Sequence, residues 1–513
     1  MVMTAVSAAL LGLDSELVRV EVDVRMGIPH FELVGLAEVA VRESRVRVRS
    51  ALAQLGVALG EYSVIVNLAP ADLRKTGSGY DLAIAVGVLA AVGRIPAEAL
   101  RDVLFLGELS LSGRVQGVRG LLPRLLSAKA QGLSRAIVPS VNALEAGLIS
   151  AMDVRVASRL EEVLAALTGG DALPIATVPR GVGIPIDTDD DLVDVRGQPL
   201  ARRALEIAAA GRHNLLMIGP PGAGKTMLAR RLAGILPSLP HEEALETLAI
   251  ASVAGDLTRV LEPTRMLARP FRAPHHTASE IALVGGGDPP RPGEVSLAHR
   301  GVLFLDELPE FRRGALEALR QPLEDGKVTI SRAHAKATFP AVPLLVAAMN
   351  PCPCGFLGDP RCTCKEERIV NYRTRLSGPL IDRIDLHVVL PSVDVRTLRG
   401  AQPGECSAQV RARVERATLQ QLERHRRGQT RARSNAELSA RDLEHLCVLD
   451  AASERLLAEA CRQRGLSARA ANKVLRVART LADLAGAAQV QAAHIAEAIT
   501  FRVLDRTPVN VAA

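Results

Sequence analysis

The chain has 513 residues, of which 48% are hydrophobic and 23% charged, so disordered, collagen-like and coiled-coil classes are excluded. This length corresponds to roughly three to four domains of ordinary size. The 63 Lys and Arg residues exceed the 56 Asp and Glu residues, giving a net charge of +7. That excess is compatible with a polyanionic partner but does not require one. Trp is absent and aromatic residues make up 2%, which argues against nucleic-acid binding by base stacking.

The cysteine pattern and the amino-terminal residues both favour the cytoplasm over secretion or membrane insertion. Four of the seven cysteines fall within residues 352–364, which does not resemble the disulfide framework of a secreted domain. Residues 1–13 are apolar but short, with no basic n-region and no uninterrupted span long enough to cross a bilayer. We therefore expect a cytoplasmic protein with no membrane partner.

Composition divides the chain into four segments. Residues 1–169 alternate β-branched runs with Ala- and Leu-rich stretches and predict an α/β domain. Residues 170–191 contain prolines, glycines and a run of aspartates, as in a linker. Residues 192–395 predict a second α/β domain, and residues 396–513 have the 3.6-residue periodicity of helices. The strands expected in the second α/β domain are 214–218, 301–305, 343–348 and 386–390.

The strongest motif follows the first of these strands. It matches the phosphate-binding pattern G-x-x-x-x-G-K-[ST], and an apolar strand precedes it while a helix follows. The glycines allow backbone N–H groups to surround phosphate oxygens. Lys225 is expected to reach the β- and γ-phosphates and Thr226 to bind Mg²⁺. The expected ATP-binding residues are Gly219, Pro220, Pro221, Gly222, Ala223, Gly224, Lys225 and Thr226.

Two carboxylates end the strand at 301–305. Asp306 is expected to complete the Mg²⁺ site with Thr226, and Glu307 to act as the general base on the attacking water. A binding loop together with both carboxylates predicts ATP hydrolysis, with ATP and Mg²⁺ as cofactors.

Three further polar residues are candidates for the same reaction. Asn350 follows the apolar run 343–349 and could orient water near the γ-phosphate. Arg383 and Arg469 could stabilise developing phosphate charge. The alternative for each arginine, taken alone, is a solvated surface residue.

At these motifs the chain resembles an AAA+ ATPase, and more narrowly the magnesium-chelatase-like ComM/YifB family. The resemblance runs in order along nearly the whole chain. The stretches that carry it are Phe31-Glu-Leu-Val-Gly-Leu-Ala, Val66-Asn-Leu-Ala-Pro-Ala-Asp-Leu-Arg-Lys, Phe105-Leu-Gly-Glu-Leu-Ser, Phe271-Arg-Ala-Pro-His-His-Thr, Ser296-Leu-Ala-His-Arg-Gly-Val-Leu-Phe-Leu-Asp-Glu-Leu and Leu376-Ser-Gly-Pro-Leu-Ile-Asp-Arg-Ile-Asp-Leu.

The resemblance implies a fold and an activity. It implies a Lon-protease-like N-terminal α/β domain, an AAA+ P-loop core and a C-terminal helical lid. It also implies a hexameric ring that acts as a branch-migration helicase on single-stranded or branched DNA during natural transformation. The family pattern places a helix-2 insertion at 257–292 and a hairpin at 327–338.

The same resemblance implies individual roles. Asn350 corresponds to sensor 1, Arg383 to an arginine finger acting on a neighbouring subunit, and Arg469 to sensor 2. The hairpin residues expected to face DNA in a central pore are Lys327, Arg332 and Lys336.

The N-terminal segment departs from a Lon protease at its nucleophile. Ser78 lies near the position of the Lon serine, but Leu122 occupies the position of its lysine. A serine without an adjacent base is a poor nucleophile, so we expect this domain to be catalytically inactive.

Cys352, Cys354, Cys362 and Cys364 have the spacing C-x-C-x₇-C-x-C. Four thiolates satisfy tetrahedral Zn²⁺, although C-x-C is tighter than the usual knuckle. The prediction is a structural zinc site, and the alternatives are reduced thiols or a redox pair.

Other basic or metal-ligating groups have two interpretations each. The arginines between 411 and 433 could contact DNA, or form a solvated helix followed by a loop. Arg42, Arg45 and Arg49 form a stripe that could meet duplex DNA or simply be surface. His275 and His276 could be a metal pair, but their proline-flanked context favours a loop.

The motifs therefore predict ATP hydrolysis, and the family resemblance implies a ring that acts on DNA. The first alternative is a chelatase-type metal-insertion or protein-remodelling ATPase. A Lon-like protease is the second, and the missing lysine opposes it.

Overall fold

The computed structural model describes residues 2–36, 38–177, 190–256, 268–332, 335–392 and 404–505. Most of the expected linker at 170–191, the first part of the expected insertion at 257–292 and the expected junction at 395/396 lie outside these residues. Within the described ranges, a mixed α/β region, a parallel α/β region and a helical region follow one another. The expected α/β fold class with a helical C-terminal part is confirmed.

Residues 2–177 surround a seven-stranded mixed sheet. Along β2, Val18, Val20 and Val22 are buried and alternate with more exposed residues, as the two-residue period of a half-buried strand requires. The sheet order is β3-β4-β2-β1-β5-β8-β9, and β6 and β7 form a separate ribbon. The strands are β1 (Met3–Leu11), β2 (Asp14–Met26), β3 (His30–Val34), β4 (Tyr62–Ala69), β5 (Val103–Phe105), β6 (Glu108–Leu109), β7 (Val115–Gln116), β8 (Arg135–Pro139) and β9 (Asp153–Ala157).

Helices cover this sheet. The third of them is buried along almost its whole length, because its sequence is nearly all apolar. The helices are α1 (Val39–Arg42), α2 (Ser44–Gln54), α3 (Asp81–Ala91), α4 (Leu121–Ala130), α5 (Ala143–Ala146) and α6 (Leu160–Leu167).

The second α/β region contains a five-stranded parallel sheet with the order β11-β14-β17-β10-β18. Its four longer strands are apolar runs, as in parallel sheets covered on both faces. They lie within one residue of the expected positions. The strands are β10 (Leu215–Ile218), β11 (Phe271–Arg272), β12 (Gly285–Gly286), β13 (Arg291–Pro292), β14 (Val302–Leu305), β15 (Lys327–Arg332), β16 (Ala335–Pro340), β17 (Leu344–Met349) and β18 (Leu386–Val389).

The helices of this region are mostly short. The longest three precede or follow β10 in the chain, and the others connect the later strands. They are α7 (Pro199–Gly211), α8 (Lys225–Ile235), α9 (His241–Ala254), α10 (Glu280–Val284), α11 (Glu294–Leu297), α12 (Arg313–Ala318), α13 (Arg320–Asp325), α14 (Glu366–Arg373) and α15 (Gly378–Ile381).

The C-terminal region is helical and shares a hydrophobic core with one face of the parallel sheet. Val414, Val477 and Ile495 belong to the same buried cluster as Leu215 and Val346. Apolar residues spaced three and four apart on these helices produce this buried face. The helices are α16 (Ser407–Arg426), α17 (Ala440–Leu446), α18 (Ala451–Arg464), α19 (Ala468–Leu484) and α20 (Ala492–Thr500).

The N-terminal sheet region contacts the parallel region through α4 and α9. Leu248 on α9 packs in one buried cluster with Leu122 and Leu125 on α4. The buried carboxylate of Glu145 accepts hydrogen bonds from the Leu122 backbone N–H (2.8 Å) and from the Ser252 hydroxyl. Separating the two regions would break the hydrogen bond between Ser252 and the buried Glu145 carboxylate. Loss of a buried hydrogen bond costs free energy, so this contact opposes separation.

Candidate active site

The phosphate-binding motif forms the turn between β10 and α8, as predicted. Gly222 and Gly224 have φ values of +78° and +82°, a backbone region that residues with a Cβ rarely adopt. The motif therefore needs glycine at both positions. Helix α8 begins at Lys225, so the turn lies at a helix N-terminus, where backbone N–H groups favour anions.

Lys225 connects this turn to the strand beside it. Its Nζ donates to the carbonyl oxygens of Gly219 (2.7 Å) and Pro220 (3.0 Å) and to Asn350 Oδ1 (3.0 Å). Burial leaves the pKa of Lys225 below its usual value, although the carboxylates of Asp306 and Glu307 oppose that shift. The structure thus brings Asn350 to the phosphate-binding turn.

The expected Mg²⁺ ligands also meet. The Thr226 hydroxyl donates to Asp306 Oδ2 (2.7 Å), and the Glu307 backbone N–H donates to Asp306 Oδ1 (2.9 Å). A hydroxyl and a carboxylate at this separation are hard oxygen donors that one Mg²⁺ can bind together. The residues present therefore fit the ion that the motif implies.

Glu307 follows Asp306, one of the two expected Mg²⁺ ligands, and has a strained backbone conformation. Its φ of +52° is in the left-handed region, which is costly for a side chain with a Cβ. Its carboxylate Oε2 lies 3.1 Å from His276 Nδ1, and the side chain is 53% exposed. An exposed carboxylate next to the Mg²⁺ ligands is well placed to accept a proton from water.

Sequence reasoning missed His276 as a member of this site. It follows β11 by four residues, and β11 pairs in parallel with β14, the strand that Asp306 follows. The carboxyl ends of paired parallel strands lie at one edge of the sheet. A prediction that paired β11 with β14 would therefore have placed His276 near Asp306 and Glu307. The His275 and His276 ring centroids are 4.1 Å apart with the rings tilted by 34°, and His275 Nδ1 lies 2.9 Å from Thr277 Oγ1.

Arg383 and Arg469 lie along the same cavity, away from the phosphate-binding turn. Both line a cavity of about 540 Å³ whose lining residues include neither the turn nor Asp306. Arg383 forms an ion pair with Glu324, and Arg469 is exposed. One chain thus holds the two arginines on a different surface from Lys225.

A hydrogen bond and a buried ion pair link the residues that line this cavity. Asn214 Nδ2 donates to the Arg383 carbonyl (2.8 Å), and Lys473 Nζ lies 3.2 Å from Asp385 Oδ1. Burial alone would favour the protonated acid, but the Lys473 ammonium and His213 hold the pKa of Asp385 well below its usual range.

The hairpin β15–β16 places its cations on two faces. Lys327, Arg332 and Lys336 are all exposed. Arg332 lies on the same face of β15 as the buried Val328 and Ile330. Lys336 pairs with Ser331, which lies on the opposite face together with Lys327. The side-chain alternation of strands therefore separates Arg332 from the two lysines. The turn residues 333 and 334 lie outside the described residues.

Several arginines between 411 and 433 are structural, which corrects the expectation of a solvated helix. Arg413 forms ion pairs with Glu206 and Glu405, and Arg424 does so with the buried Asp483. Arg411 donates to the Gly234 carbonyl. These contacts hold α16 against its neighbours.

The four clustered cysteines converge. Three Sγ separations are 3.4 Å (Cys352–Cys354), 3.6 Å (Cys354–Cys362) and 3.9 Å (Cys352–Cys362). With Cys364 included, all four sulfurs lie within 4.8 Å of one another. Four sulfurs about 2.3 Å from one tetrahedral Zn²⁺ would be about 3.8 Å apart, so the cluster fits that ion. A backbone N–H of Phe356 lowers the pKa of Cys354 to about 6, whereas burial raises the pKa of Cys352.

Comparison with known proteins agrees with this architecture. Three family models match: magnesium chelatase subunit ChlI at 191–398, subunit ChlI of Mg-chelatase at 20–142, and the ChlI C-terminal region at 404–502. Competence protein ComM of Haemophilus influenzae is 45% identical over 504 residues, covering 98% of this chain and 97% of that protein. YifB of Salmonella typhimurium is 44% identical over 506 residues, with the same shares covered.

The chain belongs to the ComM/YifB family of magnesium-chelatase-like AAA+ proteins. The expected family is confirmed, and with it an AAA+ ATPase domain for which ATP and Mg²⁺ are the implied ligands.

The N-terminal part of this ComM/YifB protein is similar to a protease. Lon protease 2 of Bacillus subtilis is 31% identical over 147 residues, which is 28% of this chain and 26% of that protein. Here the Ser78 hydroxyl donates to the Glu108 carboxylate, and Leu122 is fully buried. Lys75 Nζ instead donates to the Pro70 carbonyl. The contacts at Ser78 therefore do not form a serine–lysine pair.

Among the described helices of this ComM/YifB chain, none combines the length and apolar character that crossing a bilayer requires.

Replacing Glu307 by Gln should leave nucleotide binding intact and slow ATP hydrolysis about 10²- to 10⁴-fold, because the amide cannot accept the proton from water. Single-turnover hydrolysis and equilibrium binding of a fluorescent ADP measure the two effects. Glu310→Gln, three residues along the same segment, is the matched control. A Glu307→Gln rate close to that of the unmodified protein would contradict the general-base assignment.

Replacing His276 by Ala should lower kcat about 10- to 100-fold with little change in the KM for ATP, because His276 contacts Glu307 and not the phosphate-binding turn. His276→Gln, which keeps a hydrogen-bond donor, should recover part of the rate. His275→Ala is the neighbouring control and should remain close to the unmodified protein. Equal losses in both Ala variants would indicate a collapsed loop instead.

Proposed function

We propose that this protein is a ring-forming ATPase that moves along DNA and promotes branch migration. The observation that carries the proposal is the meeting of Lys225, Thr226, Asp306, Glu307 and Asn350 at one edge of the parallel sheet. ATP bound there would have its phosphates at the α8 N-terminus. Mg²⁺, held by Thr226 and Asp306, would neutralise phosphate charge.

The side chains around the phosphates have separate tasks in this proposal. Lys225 holds the terminal phosphates, and Asn350, hydrogen-bonded to Lys225, orients water or the γ-phosphate oxygens. Glu307 takes the proton from the attacking water. His276 orients the Glu307 carboxylate.

The separation of Arg383 from Lys225 supports assembly into a ring. An arginine that stabilises phosphate charge must approach the nucleotide, yet Arg383 lines a cavity on another surface of its own chain. A head-to-tail interface between copies can bring that surface to the neighbouring Lys225, and repeating such an interface closes a ring. Arg469 lines the same cavity, so the proposed hexamer would place both arginines on the neighbour's ATP.

The hairpin β15–β16 supports DNA as the substrate. Lys327 and Lys336 are exposed on one face of it, and an ammonium can hold a backbone phosphate without reading sequence. One relative bears the name competence protein, which is compatible with single-stranded or branched DNA as the substrate. We place the protein in the cytoplasm, where its thiols would remain reduced.

The cysteine cluster has a structural part in this proposal. Zn²⁺ held by Cys352, Cys354, Cys362 and Cys364 would close the loop that follows Asn350.

ATPase rates measured with and without single-stranded and branched DNA test the DNA part. We expect stimulation at low salt that fades at moderate salt, because phosphate contacts release counterions. Lys327→Ala with Lys336→Ala should abolish the stimulation and keep the basal rate. Arg426→Ala, an exposed arginine on α16, is the matched control and should retain it.

Each contrary outcome has a distinct meaning. Basal turnover with no response to any DNA would overturn the helicase proposal and favour a chelatase-type or protein-remodelling ATPase. Loss of stimulation in Arg426→Ala alone would move the DNA contact from the hairpin to α16.

A further inference from the structure

The cysteine loop lies against the phosphate-binding turn. Gly355, between the two cysteine pairs, has a φ of +85°, and a Cβ built on it would lie 2.5 Å from Pro221 Cδ. The same Cβ position is 3.8 Å from Asn350 Cγ. Since Pro221 belongs to the turn that would hold the phosphates, the backbone of the loop is packed directly on the nucleotide site.

Little regular structure holds this loop in place. No helix or strand lies between Met349, where β17 ends, and Glu366, where α14 begins, and all residues between them are described. Its internal backbone hydrogen bonds are turn contacts, such as Gly355 N–H to the Cys352 carbonyl (3.0 Å). A loop of this length without regular structure needs another constraint to keep one conformation.

The four sulfurs supply that constraint. Cys352 and Cys354 lie at the start of the loop, and Cys362 and Cys364 lie at its end. All four cysteines are free thiols, and the Cys352–Cys354 Sγ separation of 3.4 Å is too long for a disulfide and suitable for thiolates on one metal ion. A soft divalent ion such as Zn²⁺ would therefore join the two ends of the loop, with Gly355 held between them.

The base of the loop is held from its other side. Arg373 Nη2 donates to the Pro351 carbonyl (3.4 Å), and the adjacent Tyr372 is buried in a hydrophobic cluster together with Met349. With its base fixed, closure of the loop by a metal ion determines where Gly355 lies.

We infer that a thiolate-bound metal ion at Cys352, Cys354, Cys362 and Cys364 presses Gly355 onto Pro221, so that metal occupancy sets the affinity of the turn for nucleotide. This inference rests on the proposed binding of ATP by residues 219–226. Loss of the ion releases Pro221 and weakens nucleotide binding about 10-fold, or about 1.4 kcal/mol.

The test uses the full chain, its metal content and the Kd of a fluorescent ADP. The purified protein should contain one zinc per chain, and Cys362→Ser with Cys364→Ser should lose the zinc and weaken binding. Gly355→Ala should keep the zinc and also weaken binding, because its Cβ collides with Pro221. Gly358→Ala is the matched control, since its φ is +88° and a Cβ there would contact nothing within 4 Å.

A second measurement uses the unmodified protein, so that it does not depend on whether the variants fold. Zinc removed from the unmodified protein by a chelator should raise the Kd, and zinc added back should restore it. An unchanged Kd after zinc loss, equal Kd values in Gly355→Ala and Gly358→Ala, or purified protein without zinc would each overturn the inference. Failure of the proposed function is separate: fluorescent ADP would then bind equally well to Lys225→Ala and to the unmodified protein.

Discussion

The parallel pairing of β10 with β17 and of β17 with β14 is the constraint on which the ATP site depends. Parallel strands end at the same edge of a sheet, so three short segments distant in sequence meet there. Lys225, Asn350 and Asp306 occupy those ends, and their hydrogen bonds link all three segments. The apolar strands that are buried on both faces keep the edge rigid, and a rigid edge is what positions polar groups for phosphate chemistry.

The other regions are attached to this sheet on different sides. The C-terminal helices share its hydrophobic core on one face, so that Lys473 on α19 reaches Asp385 and the cavity containing Arg383. The N-terminal region contacts α9, with Glu145 bonded to Ser252. Leu10 and Leu13 of the N-terminal region also pack against the core on the other face of the sheet, which includes hairpin residues. Both faces of the parallel sheet are therefore in contact with other regions of the chain.

Much of the site was predictable because its motifs are local. The glycine spacing before Lys225 is enough to predict a phosphate-binding turn. Likewise, two carboxylates directly after an apolar strand are enough to predict a Mg²⁺ ligand and a general base. The contact between His276 and Glu307 was not predictable, because it depends on which strand pairs with β14. Gly355 packs on Pro221, which is far from it in sequence, and no sequence pattern around either residue predicts this contact. The same limit applies to α16, whose arginines looked solvated until their buried carboxylate partners were placed.

The central claim is that Arg383 of one copy completes the ATP site containing Lys225 of another. Mixing Lys225→Ala with Arg383→Ala protein and measuring ATP hydrolysis tests it most directly. Each variant alone should be inactive, whereas random co-assembly should restore intact residues at about a quarter of the interfaces and hence measurable activity. A mixture as inactive as its components, or an Arg383→Ala protein that hydrolyses ATP normally by itself, would contradict the shared site.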